Sequence, residues 1–157
     1  MDKYAKLFLF LTRISLGWMF FYSGLTKILD STWTSEGYIT NAKVFSGFYT
    51  WLASPSLLPV VDFMNEWGLT LLGISLILGL FVRLSSVLGA LLMLLYYIPQ
   101  GFPYPNDYAL IVDDHIIFIF LLLYFAAIRA GRTWGLEDFC ARLSLCKKFP
   151  KLRNFLG

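Results

Sequence analysis

The sequence contains one histidine, His115, and only two cysteines. A single histidine excludes a bis-histidine haem site, which needs two axial imidazoles. The cysteines, Cys140 and Cys146, are separated by five residues and form no Cys-x-x-Cys redox motif. The chain also lacks a glycine-rich phosphate loop, a nucleophile elbow, a flavin motif and any internal repeat. These absences remove the usual sequence signatures of nucleotide, acyl-transfer and thiol–disulfide chemistry.

Charged residues are also scarce, at 15% of 157 positions, whereas hydrophobic residues make up 58%. Soluble domains are about half apolar and about a quarter charged. A helix needs about 20 apolar residues to cross a bilayer, and four runs reach that length, namely residues 7–28, 63–82, 84–102 and 108–128. We predict an all-α membrane protein, one domain over residues 1–157, built as an antiparallel bundle of four transmembrane helices. The first run is too long for a signal peptide and no small-residue cleavage site follows it, so we expect it to be retained.

Basic residues are distributed unequally between the two sides of this predicted bundle. Lys27 and Lys43 fall on one side, whereas the other side carries Lys3, Lys6, Arg83, Arg129, Arg132, Arg142, Lys147, Lys148, Lys151 and Arg153. By the positive-inside rule, both termini are predicted to be cytoplasmic, and loops 29–62 and 99–107 face outward across the inner (plasma) membrane. The basic tail at 129–157 is more typical of binding to anionic membrane lipid than to nucleic acid, so we predict no nucleic-acid partner. Both cysteines lie in this tail.

The first span has a regular stripe of small and basic residues. Arg13, Gly17, Phe20, Gly24 and Lys27 follow one another at intervals of four and three, which places them on one helical face. Glycines on such a face allow a neighbouring helix to approach closely. The simplest interpretation of Lys27 is that it snorkels to the interface. Arg13 lies deeper, and two alternatives stay open for it, a functional role or a structural ion pair.

The loop after the first span is long enough to contain structure of its own. Val44, Phe48, Trp51 and Leu52 have helical spacing, which predicts a short amphipathic helix at the outer interface before Ser54-Pro55. This helix could anchor the loop in the interface or form a lid over the bundle. The anchor is the favoured interpretation.

The most informative residues are ionisable groups inside the apolar runs. Such groups are costly at membrane depth and are functional candidates by default. The starts of spans 2 and 4 and the end of span 3 lie at one depth in an antiparallel bundle, with Asp113-Asp114-His115 about 8–10 Å below the outer end of span 4. Successive residues diverge by about 100°, so we expect only His115 and one of the aspartates to face inward. We predict catalytic roles for Glu66, His115 and Asp114, and ligand-binding roles for Arg13, Lys27, Tyr96, Tyr97, Gln100 and Asp113.

The chemistry of this predicted cluster suits the head group of a quinone. A quinone needs hydrogen-bond donors to its two carbonyls and proton donors when it is reduced, and histidine, tyrosine and protonated carboxyls supply both. Three alternatives stay open. The cluster could be a polar network that only fixes helix register, part of a transporter or proton channel, or a metal site. Because the chain has one histidine, we predict no metal.

Several motifs occur in a characteristic order: Arg13-x3-Gly17-Trp18-x5-Gly24-x2-Lys27, Asp30-Ser-Thr-Trp33-Thr, Glu66-Trp-Gly68-x4-Gly73-x5-Gly79-Leu-x2-Arg83, Asp114-His115 and Gly131-Arg-x-Trp134-Gly135-Leu136-Glu137. In this order and spacing the chain resembles the DoxX/DoxD family of four-helix membrane proteins, most of all the DoxD membrane subunit of thiosulfate:quinone oxidoreductase. The final motif usually reads Gly-Leu-Asp, and here it ends in Glu137.

That resemblance implies a membrane subunit of a quinone-linked oxidoreductase. It would work beside the quinone pool and require a partner subunit or assemble as a homo-oligomer. Arg13, Glu66 and His115 are the positions that the polar core of the family would use. Relatives of this kind also include assembly factors, so the alternative is a scaffold for a partner protein whose polar core is purely structural.

Overall fold

A computed structural model of the protein describes residues 1–101, 103 and 110–140, except for the side chains of Asp138 and Cys140. The chain is all-α, as predicted. Its helices are α1 (Lys3–Leu29), α2 (Glu36–Thr40), α3 (Ser46–Leu52), α4 (Leu58–Leu78), α5 (Val82–Tyr97), α6 (Asp114–Ile128) and α7 (Glu137–Cys140). Short 3₁₀ turns follow α5 at Ile98–Gln100 and α6 at Ala130–Arg132. The part of the basic tail after residue 140, which includes Cys146, lies outside the described residues.

Among the described residues, α1, α4 and α5 with its 3₁₀ extension are long and apolar enough to cross a membrane. Helix α6 is equally apolar but has only 15 residues, a length of about 22 Å at the usual rise. Large apolar side chains also cover the outside of the bundle, including those of Trp18, Leu88 and Phe120. A surface of this kind suits lipid rather than water, which confirms the prediction of a membrane protein.

The long helices pack mainly as successive neighbours, α1 on α4, α4 on α5 and α5 on α6. The contact between α1 and α4 is close because glycines face it from both helices. A Cβ atom on Gly73 would lie 2.3 Å from the backbone nitrogen of Phe21, and one on Gly24 would lie 2.5 Å from that of Thr70. The predicted small-residue face of α1 is therefore a helix-packing surface.

The predicted spans 63–82 and 108–128 have wrong boundaries. Helix α4 begins earlier, at Leu58 with a proline in its first turn, and it ends at Leu78 because Gly79 adopts a left-handed conformation (φ 65°). Helix α6 begins only at Asp114. Asp113 has extended backbone and its carboxylate accepts a hydrogen bond from the Ile116 N–H, so it caps the helix. The Asp113-Asp114-His115 group therefore starts α6 and is not 8–10 Å inside it.

The bundle has two ends, which we name for use below. At the loop end, α1 and α5 finish and α4 and α6 begin. At the turn end lie the start of α1, the tight connection from α4 to α5, and residues 129–137. The predicted amphipathic helix exists as α3, while α2 was not predicted, and both belong to the long connection from α1 to α4 at the loop end.

Candidate functional site

The connection with α2 and α3, residues 30–57, is fastened to the end of α5. Pro99 has no N–H to pair with the Leu95 carbonyl four residues earlier, and the Tyr49 hydroxyl donates to that carbonyl instead, at 3.0 Å. The Tyr38 hydroxyl donates to the Tyr96 carbonyl, and the Lys43 N–H donates to the Pro99 carbonyl at 2.9 Å. The last turn of α5 thus obtains hydrogen bonds that its own helix does not provide.

The two tyrosine hydroxyls are suited to this role as donors. Burial raises the pKa of Tyr49 above its ordinary value. The pKa of Tyr38 is also raised, chiefly by burial and further by the negative charges of Asp113 and Asp114, although a hydrogen bond from Gln100 opposes the change. Both hydroxyls therefore stay protonated at neutral pH and keep their hydrogen atoms for the α5 carbonyls.

A second attachment joins the same connection to the first turns of α4. The Asp62 carboxylate accepts hydrogen bonds from the Ser35 N–H at 2.8 Å, the Ser35 hydroxyl at 2.5 Å and the Thr34 hydroxyl at 2.9 Å. No local sequence pattern indicates this group, because its members are 27 or 28 positions apart and lie in different predicted elements. Together the two attachments hold α2 and α3 across the loop end.

Beneath this cover the loop end contains a cavity of about 440 Å³, within the size range of small-molecule sites. Its wall is largely apolar and aromatic. It is lined by Lys27, Trp33, Thr34, Ser35, Tyr38, Ile39, Phe48, Tyr49, Leu52, Val61, Met64, Asn65, Leu92, Leu95, Tyr96 and His115. Helix α3 therefore forms a wall of the cavity with Phe48, Tyr49 and Leu52. Its Phe48 and Trp51 side chains are exposed, so the two interpretations of this helix, anchor and lid, are compatible.

His115 is the residue that α6 contributes to the cavity. Its Nδ1 atom lies 2.8 Å from the Asp113 carboxylate and 3.2 Å from that of Asp114. Asp113 is 4% exposed, whereas the Asp114 side chain is 69% exposed, so Asp113 is the aspartate that faces inward. The hydrogen bond to Asp113 fixes the ring orientation and leaves Nε2 as the nitrogen that a ligand could meet. The Tyr96 ring packs edge-on against the imidazole, with centroids 6.1 Å apart.

Lys27 brings a positive charge to the cavity wall from the end of α1. Its ammonium group donates to the Ser23 hydroxyl at 3.2 Å and lies 5.3 Å from the centre of the Trp33 ring, a cation–π geometry. Glu66 acts on it electrostatically. The simplest interpretation of Lys27 was that it only extends to the interface. Its contacts with Ser23 and Trp33 show that it also forms part of the cavity wall.

Other predicted site residues lie near the cavity without lining it. Glu66 is half-buried on α4, and the cavity is lined by its neighbour Asn65 instead. The buried Tyr97 donates from its hydroxyl to the Ile111 carbonyl at 2.7 Å. Gln100 donates to the Tyr38 hydroxyl at 3.2 Å and lines a separate, more polar cleft with Asn41 and Lys43. The structure thus brings His115, Lys27 and Tyr96 to one cavity and leaves Glu66, Tyr97 and Gln100 outside it.

Arg13 lies at the turn end, away from this cavity. It is fully buried and its guanidinium donates to the Ala130 carbonyl at 2.8 Å and the Trp134 carbonyl at 3.3 Å. It also lies against the Phe10 ring and within electrostatic range of Glu137. These contacts join α1 to the segment after α6, which in turn caps α4 through N–H groups of Leu136 and Glu137. Of the two open alternatives for Arg13, the geometry supports the structural one.

Asp113, Asp114 and His115 also have ligand atoms within 4.8 Å of one another. All three come from successive positions at one helix start, and the Asp113 carboxylate already caps the helix and holds His115. These hydrogen bonds account for the proximity of the three groups.

The first five helices carry the similarity to known proteins. A family model for DoxX matches residues 8–98, which is more than half of the chain. The chain belongs to the DoxX family. The DoxX match includes Lys27, Asn65 and Tyr96 but ends before His115, so the final motifs of the predicted resemblance are not part of it. No curated protein and no solved structure matches this DoxX chain, and its likeness to the DoxD branch stays a prediction.

Proposed function

We propose that this DoxX protein is the quinone-binding membrane subunit of an oxidoreductase of the thiosulfate:quinone type. The observation that carries the proposal is the largely apolar cavity at the loop end, which presents the imidazole of His115 and the ammonium of Lys27. A quinone head group is an apolar ring with two carbonyl acceptors, so it fits a wall of this composition. Electrons would come from a partner subunit that oxidises an external sulfur compound.

The charge distribution supports a position of the cavity on the outer side of the inner membrane. Lys3, Lys6, Arg83, Arg129 and Arg132 lie at the turn end, and more basic residues follow in the tail. By the positive-inside rule the turn end and both termini are cytoplasmic. The cavity then opens near the outer face, where an external electron donor is accessible. The exposed Met64 and Phe48 at its wall would face lipid and admit an isoprenoid tail.

Three side-chain groups would hold and serve the head group. Lys27 donates hydrogen bonds or charge to one carbonyl oxygen, and Tyr96 supplies an aromatic surface. His115 can hold a proton at Nε2 beside the other carbonyl oxygen, while its Nδ1 atom stays hydrogen-bonded to Asp113. A bound quinone accepts two electrons and two protons to become a quinol, and His115 is suited to deliver one of these protons.

Filling the cavity tests the proposal. In the variant Leu52→Trp the larger side chain occupies the cavity, and we expect binding of a short-chain ubiquinone analogue, measured by titration calorimetry in detergent, to weaken at least tenfold. Leu91→Trp is the matched control, because Leu91 is exposed on α5 and does not line the cavity. It should bind as the unmodified protein does.

Equal binding by both variants would contradict the proposed site. If the unmodified protein binds no quinone, the alternative stands that the chain is an assembly factor or scaffold with a structural polar core. Copurification of a quinone with the unmodified protein, and its loss from Leu52→Trp, would support the proposal independently of added ligand.

A further inference from the structure

Asn65 carries a buried amide to which no other residue in the described part of the chain is hydrogen-bonded. The residue is only 8% exposed, and among residues 1–101, 103 and 110–140 no hydrogen bond to its side chain is present. Its polar atoms are not sealed in the protein interior, because Asn65 lines the loop-end cavity. The amide therefore opens onto the space that a ligand would fill.

An amide that opens onto a cavity is available to pair with whatever the cavity binds. Buried polar groups in proteins are nearly always paired, and an unpaired one loses its hydration without compensation. The neighbouring Glu66 and Thr70 show the usual alternative on the same helix, since the Thr70 hydroxyl donates to the Glu66 carbonyl at 2.7 Å. Asn65 makes no such contact with its own helix, so its amide stays available to a ligand in the cavity that it lines.

Each of the four long helices brings a hydrogen-bonding side chain to this largely apolar wall: Lys27 from α1, Asn65 from α4, Tyr96 from α5 and His115 from α6. Lys27 is already engaged with Ser23 and Trp33, and His115 is engaged on its Nδ1 side with Asp113. Asn65 has both its donors and its acceptor available. It is therefore the group with the most hydrogen-bonding capacity to offer a ligand.

We propose that Asn65 is a specificity-determining residue, whose amide donates, beside Lys27, to the second carbonyl oxygen of the ligand's ring while His115 meets the first. The cavity would then select head groups with two opposed carbonyl oxygens over head groups with one. This inference rests on the proposed function and deepens it. A site with a buried donor discriminates strongly against an analogue that leaves the donor unpaired.

A pair of ligands tests this directly in the detergent-solubilised full chain. 1,4-Naphthoquinone has two opposed carbonyls, and 1-tetralone retains the fused ring with only one. The unmodified protein should bind 1,4-naphthoquinone about tenfold more tightly by titration calorimetry. Asn65→Leu should weaken the binding of 1,4-naphthoquinone about tenfold and change that of 1-tetralone less than twofold. Asn65→Ala should give the same pattern without filling space, and it serves if the leucine variant fails to fold.

Ser86→Ala is the matched control. The Ser86 hydroxyl is also fully buried without a hydrogen-bond partner among the described residues, but it does not line the cavity. Its removal should leave both affinities unchanged. The proposed role of Asn65 would be overturned if Asn65→Leu and Asn65→Ala lost affinity equally for the two ligands, or lost none for either. The proposed function would still stand in that case. Failure of the unmodified protein to bind 1,4-naphthoquinone would overturn the proposed function as well.

Discussion

The two ends of the bundle bury polar side chains in opposite ways. At the turn end, the Arg13 guanidinium is fully buried and bonded to the carbonyls of Ala130 and Trp134. At the loop end, His115 and Asn65 line a cavity of about 440 Å³, and part of their hydrogen-bonding capacity faces that space. One end uses its polar groups to join segments of the chain, whereas the other keeps some of them available.

This difference bears on how ionisable residues at membrane depth, whose burial costs free energy, are interpreted in a membrane protein. Ionisable groups at membrane depth are functional candidates by default, but this rule does not distinguish a side chain that stabilises the fold from one that binds a ligand. The hydrogen-bond partners make this distinction. The Arg13 guanidinium donates to two backbone carbonyls of the chain, so its role is to stabilise the fold. Variants at the turn end should therefore reduce stability, and variants at the loop end should reduce ligand binding.

The largest effect is expected from Arg13→Met. It removes two hydrogen bonds from a charged donor, each worth about 1.5–3 kcal/mol, and we expect the free energy of unfolding to fall by about 3–5 kcal/mol. Denaturant-induced unfolding in detergent measures this loss. Lys6→Met is the control, since Lys6 is exposed on the same helix, and it should change stability by less than about 0.5 kcal/mol. Unchanged stability of Arg13→Met would contradict the structural role of Arg13.

The next largest effect concerns the contact between α1 and α4, on which both ends depend. In Gly73→Ala the new Cβ atom would lie 2.3 Å from the Phe21 backbone nitrogen, so the helices must separate. Overpacking of this kind costs about 1–3 kcal/mol. Gly68→Ala is matched on the same helix, because its nearest neighbour would be the Leu92 side chain at 3.9 Å. Thermal unfolding of the two variants should differ clearly, and equal stability would contradict the close contact.

The sequence predicted the helices well because hydropathy and helical spacing are local properties. It located the start of α6 wrongly because residues 110–112 are as apolar as the helix itself, and only the hydrogen bond from Ile116 to Asp113 shows where the helix begins. Asn65 was missed for a related reason. Its charged neighbour Glu66 attracts attention at membrane depth, but a rotation of about 100° separates the two side chains. The pairing of Asp62 with Ser35 depends on tertiary structure, which no local pattern indicates.

A smaller effect should separate the two residues at the start of α6 that the sequence treated alike. His115→Ala removes the imidazole from the cavity wall, and we expect binding of a short-chain ubiquinone analogue to weaken about tenfold, or about 1.4 kcal/mol. Asp114→Ala removes an exposed carboxylate and should weaken binding less than twofold. Titration calorimetry measures the affinity of both variants for the analogue, and an unfolding experiment checks that each variant is folded normally. A larger effect from Asp114 than from His115 would support the predicted catalytic role of Asp114 and contradict this ranking.

The smallest effect should come from the attachment of α3. Tyr49→Phe removes the hydroxyl that serves the Leu95 carbonyl, and we expect a loss of about 1 kcal/mol. Tyr22→Phe, at an exposed tyrosine of α1, should cost much less. Hydrogen exchange of the Tyr49 region measures the loosening of α3, since the backbone amides there open more often when the attachment weakens.

Pro99 explains why Tyr49 is needed, and a double variant tests that explanation. Pro99→Ala restores an N–H that can pair with the Leu95 carbonyl within α5. If the carbonyl is the reason for the contact, Tyr49→Phe should cost less free energy in the Pro99→Ala background than in the unmodified protein, a coupling that a double-mutant cycle measures. Equal costs in the two backgrounds would show that the contribution of the Tyr49 hydroxyl does not depend on the N–H that Pro99 lacks.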